Sequence, residues 1–368
     1  MNSFQNTYRD KVVLVTGHTG FKGSWLSVWL NQLGARVVGL SIGTPTIPCN
    51  FEAAQLAHIV KDHRADICNL EAVQKIIFDT KPDFIFHLAA QSLVRASYED
   101  PIRTLVVNSI GSAHILQSLR ELNKSVVTVM VTSDKAYDNV EWPWGYRETD
   151  RLGGKDPYSA SKGMAELAIR TFINSFFKDP KIGKKIAIAR AGNVIGGGDW
   201  ASDRIVPDCI KAWASGLQVD VRNPHSTRPW QHVLEPLSGY LTLGADLYRR
   251  SDHHSQAYNF GPSAQQNHTV KDLIEEMTKY WGNAHWNDIS QNVKDAPEAG
   301  LLKLNCDKAL FDLKWIPTLQ FEETVHMTVE WYQSYYAQSD REIRTITENQ
   351  IRGYTLLAAN RGVSWAQF

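Results

Sequence analysis

The sequence has little cysteine, and its four residues, Cys49, Cys68, Cys209 and Cys306, form no Cys-x-x-Cys pair. Scattered thiols argue against a zinc site or a disulfide framework and fit a reduced compartment, where buried thiols are expected. Net charge is also missing: 39 basic residues balance 39 acidic ones, so there is no electrostatic footprint for nucleic acid or an anionic membrane. No run of 18 apolar residues exists, and the segment from Met1 to Asp10 has no signal-peptide core, which makes the cytoplasm the expected location. Repeats and low-complexity segments are absent too. His253 and His254, beside Asp252, lack metal-ligand spacing and read as a solvated loop, so no metal is expected.

What is present suits a globular enzyme of two lobes, with 43% hydrophobic and 21% charged residues in a chain of 368. To about residue 190 apolar strands alternate with helical stretches, which predicts a Rossmann-type doubly wound parallel sheet followed by a smaller α+β part. The run from Lys11 to Thr16 leads into Gly17-His18-Thr19-Gly20-Phe21-Lys22-Gly23 and a helix through Leu33. Glycines there permit a tight turn and close approach of a pyrophosphate to free N–H groups at a helix N-terminus. A turn without a ligand has the same look. The second strand, from Ala35, ends in Ser41 where a carboxylate would grip ribose hydroxyls. NAD is therefore preferred over NADP without being required, and Arg36 and Lys22 stand as candidate partners for a 2′-phosphate. Asp66-Ile67 closes a third strand, and a fourth, from Phe84, ends in Leu88, Ala89, Ala90 and Gln91, small enough in part to let a dinucleotide lie close.

The apolar run from Ser125 ends at Ser133, which places Ser133, Asp134 and Lys135 at the carboxyl end of a buried strand, where ligands of open α/β sheets sit. Tyr158 and Lys162 are four apart on a helix and share one face, so the ammonium is expected to depress the phenol's pKa and make it a base. Ser133 would polarise the same substrate oxygen. A plain dehydrogenase needs no more, whereas Asp134 adds a proton donor for a leaving hydroxyl and Lys135 a base or orienting charge. Asp134 needs burial to act as an acid while Lys135 opposes it, so the two are expected to titrate as a coupled pair. Beyond residue 190, the loop from Gly196 to Pro207 can wrap a diphosphate. Asn193, Arg204 and Arg228 are its candidate donors, with surface ion pairs as the other reading of each arginine. His232 reads as structural.

Together, Thr16-Gly-x-x-Gly-Phe-x-Gly23, Asp66-Ile67, Leu88-Ala-Ala-Gln91, Asn108, the Ser133 segment, Tyr158-x-x-x-Lys162 and Arg190-x-x-Asn193 resemble the extended short-chain dehydrogenase/reductase family over nearly the whole chain. The acid after the catalytic hydroxyl resembles its nucleotide-sugar 4,6-dehydratase branch; epimerases lack it. Members acting on dTDP-glucose or GDP-mannose usually carry Asp-Glu there. Asp134-Lys135, with Gly20-Phe-Lys-Gly-Ser-Trp-Leu26 and Gly196-Gly-Gly-Asp-Trp200, is similar to members acting on CDP-glucose.

The resemblance implies that Gly17 to Gly23, Ser41, Asp66, Ile67, Leu88 to Gln91, Asn108, Tyr158 and Lys162 hold NAD. Gln91, Ser92, Asn193, Arg204, Arg228 and Asn259 would hold the nucleotide sugar. Tyr158 would take the C4 hydroxyl proton as NAD takes the hydride, Lys135 the C5 proton, and Asp134 would protonate the C6 hydroxyl before the hydride returns to C6. The net reaction is that of a hydro-lyase, in deoxysugar synthesis for lipopolysaccharide O-antigen. Also implied are an NAD-binding domain over 1–190 with segments returning at about 228–262, including a strand near Tyr258, a sugar-nucleotide domain mainly over 191–350, and a tail over 351–368. A homodimer, or a tetramer built from it, would pair helices near Gly111–Asn123 and Tyr158–Phe177. A 4-epimerase or reductase of the same family, and a non-catalytic dinucleotide sensor, remain as alternatives.

Overall fold

The computed structural model describes residues 3–292, 301–337 and 342–367. Seven strands form one parallel sheet: β1 (Val12–Thr16), β2 (Arg36–Ser41), β3 (Val60–Arg64), β4 (Phe84–His87), β5 (Val126–Val131), β6 (Lys184–Ala191) and β7 (Ala257–Phe260). Their spatial order is β7-β6-β5-β4-β1-β2-β3. Side chains alternate between the faces of a strand, and both faces are covered, which is why these strands read as continuous apolar runs. Val13, Val15, Phe84, Phe86, Val127 and Val129 pack into one core with helix α1 (Phe21–Gln32). Leu14, Val38, Leu40, Ile85, Val126 and Met130 pack into the other, against α2 (Leu70–Thr80), α3 (Gly111–Glu121) and α4 (Pro157–Phe176).

Strand order reverses between β1 and β4, so the crevice for a ligand opens at their carboxyl ends. Thr16 closes its floor: its hydroxyl bonds His87 Nδ1 at 2.8 Å and accepts the Leu88 and Ala89 N–H groups at 3.1 Å. Helix α4 is started by Asp156, whose carboxylate accepts the Ser159 N–H at 2.9 Å, and by Pro157 in its first turn. That cap fixes where Tyr158 begins the helix.

The later chain supplies α5 (Ile205–Ala214), α6 (Leu234–Arg249), α7 (Val270–Trp281), α8 (Phe321–Tyr336) and α9 (Ile343–Asn360). Helix α6 is buried over most of its length against β5 and β6. At its start, buried Glu235 accepts N–H bonds from Thr318 and Leu319 and the Tyr354 hydroxyl at 2.8 Å, tying α6 to α9. The expected tail boundary at 350/351 falls inside α9, and beyond it Trp365 stacks on Phe4 with ring centres 4.9 Å apart. The segment is integrated into the fold.

Two other expectations change. Cys49 and Cys209 are buried, whereas Cys68 and Cys306 keep partial exposure. The His253-His254 pair is no solvated loop: His254 accepts the Ile186 N–H and bonds the Phe177 carbonyl, and His253 pairs with Asp246 at 2.9 Å. His254 staples the loop before β7 to the sheet, and His253 ties it to α6. Among the described residues no group of His, Cys, Asp and Glu could hold a metal ion, and no helix is long and apolar enough to cross a membrane.

Candidate active site

Between β1 and α1 the glycines are dictated by backbone proximity. Gly17 has φ +75°, and a Cβ there would lie 2.8 Å from the Ala89 nitrogen; a Cβ on Gly23 would lie 2.0 Å from the Gly17 carbonyl oxygen. Gly20 starts α1 without a side-chain cap, so the first N–H groups of the helix are available to an anion at its positive end. Thr19, Phe21, Lys22, Ser41, Asp66, Ile67, Leu88, Ala89, Ala90, Gln91 and Ser92 line the same cleft, about 1300 Å³ in volume, large enough for two nucleotide-sized ligands. Such a cradle, closed to side chains and lined by N–H groups, fits a dinucleotide diphosphate.

Three residues expected on the cofactor lie elsewhere. His18 is buried beneath β2, its ring bonded to Ser41 Oγ and to Asp62 Oδ1, each at 2.9 Å, in space left by Gly39. Burial pushes its pKa down, with Asp62 opposing. Asn108 is also buried: it clasps the main chain of Gln91 at 2.8 and 3.0 Å and reaches Ser161 Oγ at 2.7 Å, so it braces the end of β4 against α4. Arg36 sits at the opposite end of β2 and bonds the Asp10 carbonyl, out of reach of any ribose phosphate. Lys22 faces the reaction end of the cleft, where burial, with Arg204 and Lys162 nearby, pushes its ammonium down to about 8.

At the end of β5 the chain forms a short turn that Ser133 caps. Its Oγ accepts the Lys135 N–H at 3.2 Å and donates to Asp134 Oδ1 at 2.8 Å. The Tyr158 phenol lines the same end of the cleft. Asp134 is only 4% exposed, and its Oδ2 has no hydrogen-bond partner among the described residues. Gly192 leaves that oxygen room, since a Cβ there would come within 3.1 Å. Lys135, partly exposed, lines the cleft.

The expected lowering of the Tyr158 pKa is not found. Burial pushes the phenol up to about 12, against the pull of Ser133 and Arg204, and it pushes Lys162 down to about 8, against Glu166. The Lys162 ammonium stands 5.8 Å from the Tyr158 ring centre. Desolvation outweighs the neighbouring charge for both groups.

Sequence reasoning missed Glu166, one turn beyond Lys162 on α4. It is fully buried, accepts the Thr132 hydroxyl at 2.7 Å and is gripped by Arg190 Nε at 2.6 Å. The i+4 spacing from Lys162 was the available signal. Arg190, the first member of the Arg190-x-x-Asn193 motif, therefore lies below the cleft. Asn193, Arg204 and Arg228 line it, with Arg204 held by Asp199 at 2.6 Å. Also missed was a clasp across the opening, where Arg95 pairs with Asp203 at 3.0 Å. Asn259 does not reach the cleft: it is buried on β7, accepting the Tyr137 hydroxyl and donating to the Tyr146 and Asn305 carbonyls.

Residues 14–328 match the family model described as GDP-mannose 4,6 dehydratase. The chain is 45% identical to a CDP-glucose 4,6-dehydratase of Salmonella typhimurium, over 91% of this chain and 94% of that protein. It is 24% identical to a dTDP-glucose 4,6-dehydratase of Haemophilus influenzae, over 87% of this chain and 97% of that protein. Among solved structures, an epimerase of Methanothermobacter thermautotrophicus superposes with a TM-score of 0.77 at 23% identity, covering 93% of this chain and 96% of the other. A UDP-glucuronic acid 4-epimerase from Bacillus cereus, in complex with UDP-glucuronic acid and NAD, gives 0.75 at 21% identity, covering 88% and 100%.

Proposed function

The chain belongs to the GDP-mannose 4,6 dehydratase family, and from that premise we propose that it converts CDP-glucose to CDP-4-keto-6-deoxyglucose and water. Burial of Asp134 beside Ser133 and Tyr158 carries the reading, because eliminating a hydroxyl needs an acid next to the oxidation site and a simple epimerase has no use for one. The choice of CDP-glucose rests on the 45% identical relative together with the Asp134-Lys135 pair.

Gly17, Gly20 and Gly23 leave room in which the first N–H groups of α1, Asp66, and Leu88 through Gln91 would hold the cofactor. Bound NAD supplies the hydride acceptor for C4 and the hydride donor for C6. Tyr158 accepts the C4 hydroxyl proton while Ser133 steadies that oxygen and Lys162 stabilises the phenolate. The resulting ketone acidifies the C5 proton, which Lys135 removes as Asp134 protonates the departing C6 hydroxyl. Asn193, Arg204 and Arg228 bind the substrate diphosphate, the arginines as bidentate donors. Gln91 and Ser92 flank the sugar.

Exposed Met164, Leu167 and Phe176 on α4, with Ile110 just before α3, support a homodimer through these two helices. A 4-keto-6-deoxy nucleotide sugar is a starting point for deoxysugars of a surface polysaccharide, made in the cytoplasm.

The test is to incubate the purified protein with CDP-glucose and, in parallel, dTDP-glucose, UDP-glucose and GDP-mannose, with and without NAD, and follow the 4-keto-6-deoxy chromophore in alkali. Product from CDP-glucose alone is expected. An isomerised or unchanged sugar would overturn the reading.

A further inference from the structure

The strap from Gly196 to Arg204, which brings Arg204 to the cleft, is pinned largely by helix α8. Gly197 lies against Trp331 of that helix, where a Cβ would come within 2.0 Å of the indole ring, and its carbonyl accepts the Trp25 indole N–H at 2.8 Å. Asp199 is held twice by Tyr332, also on α8: the phenol oxygen accepts the Asp199 N–H at 3.0 Å, and its proton is donated to the Asp199 carbonyl. Tyr332 is fully buried, and its ring is fixed edge-on by Trp200 and Trp331, with ring centres 5.7 and 5.4 Å away. The Asp199 side chain carries that position forward. Its Oδ1 accepts the Ala201 N–H at 3.1 Å, and its Oδ2 holds Arg204 Nη1 at 2.6 Å. Local preference does not hold the strap in this shape, because Gly198 and Asp203 both sit in the left-handed region, at φ +84° and +61°, and Asp203 carries a side chain.

We propose that Tyr332 is a positioning residue for the substrate diphosphate: through Asp199 it aims Arg204 into the cleft. The Asp199 contact engages Nη1 and leaves the fork of Nε and Nη2 for two phosphate oxygens. Without the Tyr332 hydroxyl the Asp199 N–H and carbonyl lose their buried partner and the strap loosens. Arg204 then spreads over several rotamers, and binding the substrate must restore their order. The loss falls on binding, since the strap carries none of the groups assigned to proton transfer. This inference rests on the reading that Arg204 binds the diphosphate, and it adds the reason that a helix more than 100 residues later is needed for that contact.

Tyr332→Phe, which keeps the ring packing, tests it. The KM for CDP-glucose is expected to rise about tenfold while kcat stays within about twofold, and affinity for NAD is expected to stay unchanged. In an Arg204→Ala background the same substitution should add no further loss of CDP affinity, measured by calorimetry. A fall in kcat to match, a loss of NAD affinity, or additive losses from the two substitutions overturns the proposal. Asp199→Asn leaves the main chain on Tyr332 and weakens the grip on Arg204, so it should raise KM in the same way; it decides the matter where Tyr332→Phe does not fold, and an unaltered KM overturns the proposal there. Should Arg204→Ala leave CDP affinity unchanged, the diphosphate reading itself fails. Should Arg204→Ala weaken it while Tyr332→Phe does not, only the positioning role fails.

Discussion

Arg190 holds Glu166 out of reach of solvent, with Nε 2.6 Å from Oε1 and a terminal nitrogen on Oε2. The pair joins α4, which carries Tyr158 and Lys162, to β6, and through the Thr132 hydroxyl to the end of β5, which carries Ser133. One buried carboxylate thus indexes both halves of the proposed reaction machinery.

Breaking that pair leaves an uncompensated buried charge. Glu166→Gln and Arg190→Met are each expected to cost about 3–5 kcal/mol, and the double variant less than their sum. Denaturant unfolding of the four proteins checks this; additive losses would disprove it.

Lys162 exacts a stability cost with a defined pH window. Its folded pKa, near 8, lies below the ordinary lysine value of 10.5, so between these the unfolded chain binds a proton the folded one has released, and stability rises with pH. At neutral pH the burden is about 3 kcal/mol. Lys162→Met should be more stable than the unaltered protein at pH 7, with the gain shrinking toward pH 10, and should lose turnover. Thermal melts across that range decide it.

Lys135→Ala should keep C4 oxidation but lose C5 proton removal, lowering both water loss and exchange of the C5 hydrogen with deuterated solvent by about 10²–10⁴-fold. Full turnover in this variant would remove Lys135 from the base role.

Gly23→Ala forces a Cβ against the Gly17 carbonyl, 2.0 Å away with backbone on both sides. The turn must open, so NAD binding measured by calorimetry is expected to fall by tenfold or more, roughly the effect of 1.4 kcal/mol. Unchanged affinity would mean that the loop does not cradle the diphosphate.

Leu167 is 57% exposed on α4. Leu167→Arg places a charge in the proposed helix pairing, and sedimentation is expected to show monomers where the unaltered chain sediments as a dimer. An unchanged mass would move the interface elsewhere.

Much of this was legible along the chain because the signals are local. Apolar runs with β-branched residues marked the strands to within a few residues, and Gly17-x-x-Gly20-x-x-Gly23 marked the cradle because a tight turn excludes side chains from those positions. Ser133, Asp134, Tyr158 and Lys162 were placed together from one strand end and one helical spacing, and all four line the cleft. His18, Asn108 and Asn259 sit in or beside the right motifs, yet their side chains turn into the protein to bond Asp62, Gln91 and Tyr137. Sequence spacing does not say which way a polar side chain faces once sheet and helices close over it.

The sequence by itself determined the alternation of strands and helices, the glycine turn and the residue types gathered at the cleft, since these follow from steric limits and periodicity within a few neighbouring residues. Tertiary structure alone decided the rest: that Arg190 faces Glu166 below the cleft, that Ser133 spends its proton on Asp134, and that Tyr158 is pushed to about 12. Desolvation and pairing depend on what the fold brings from far along the chain, and no local spacing encodes that distance.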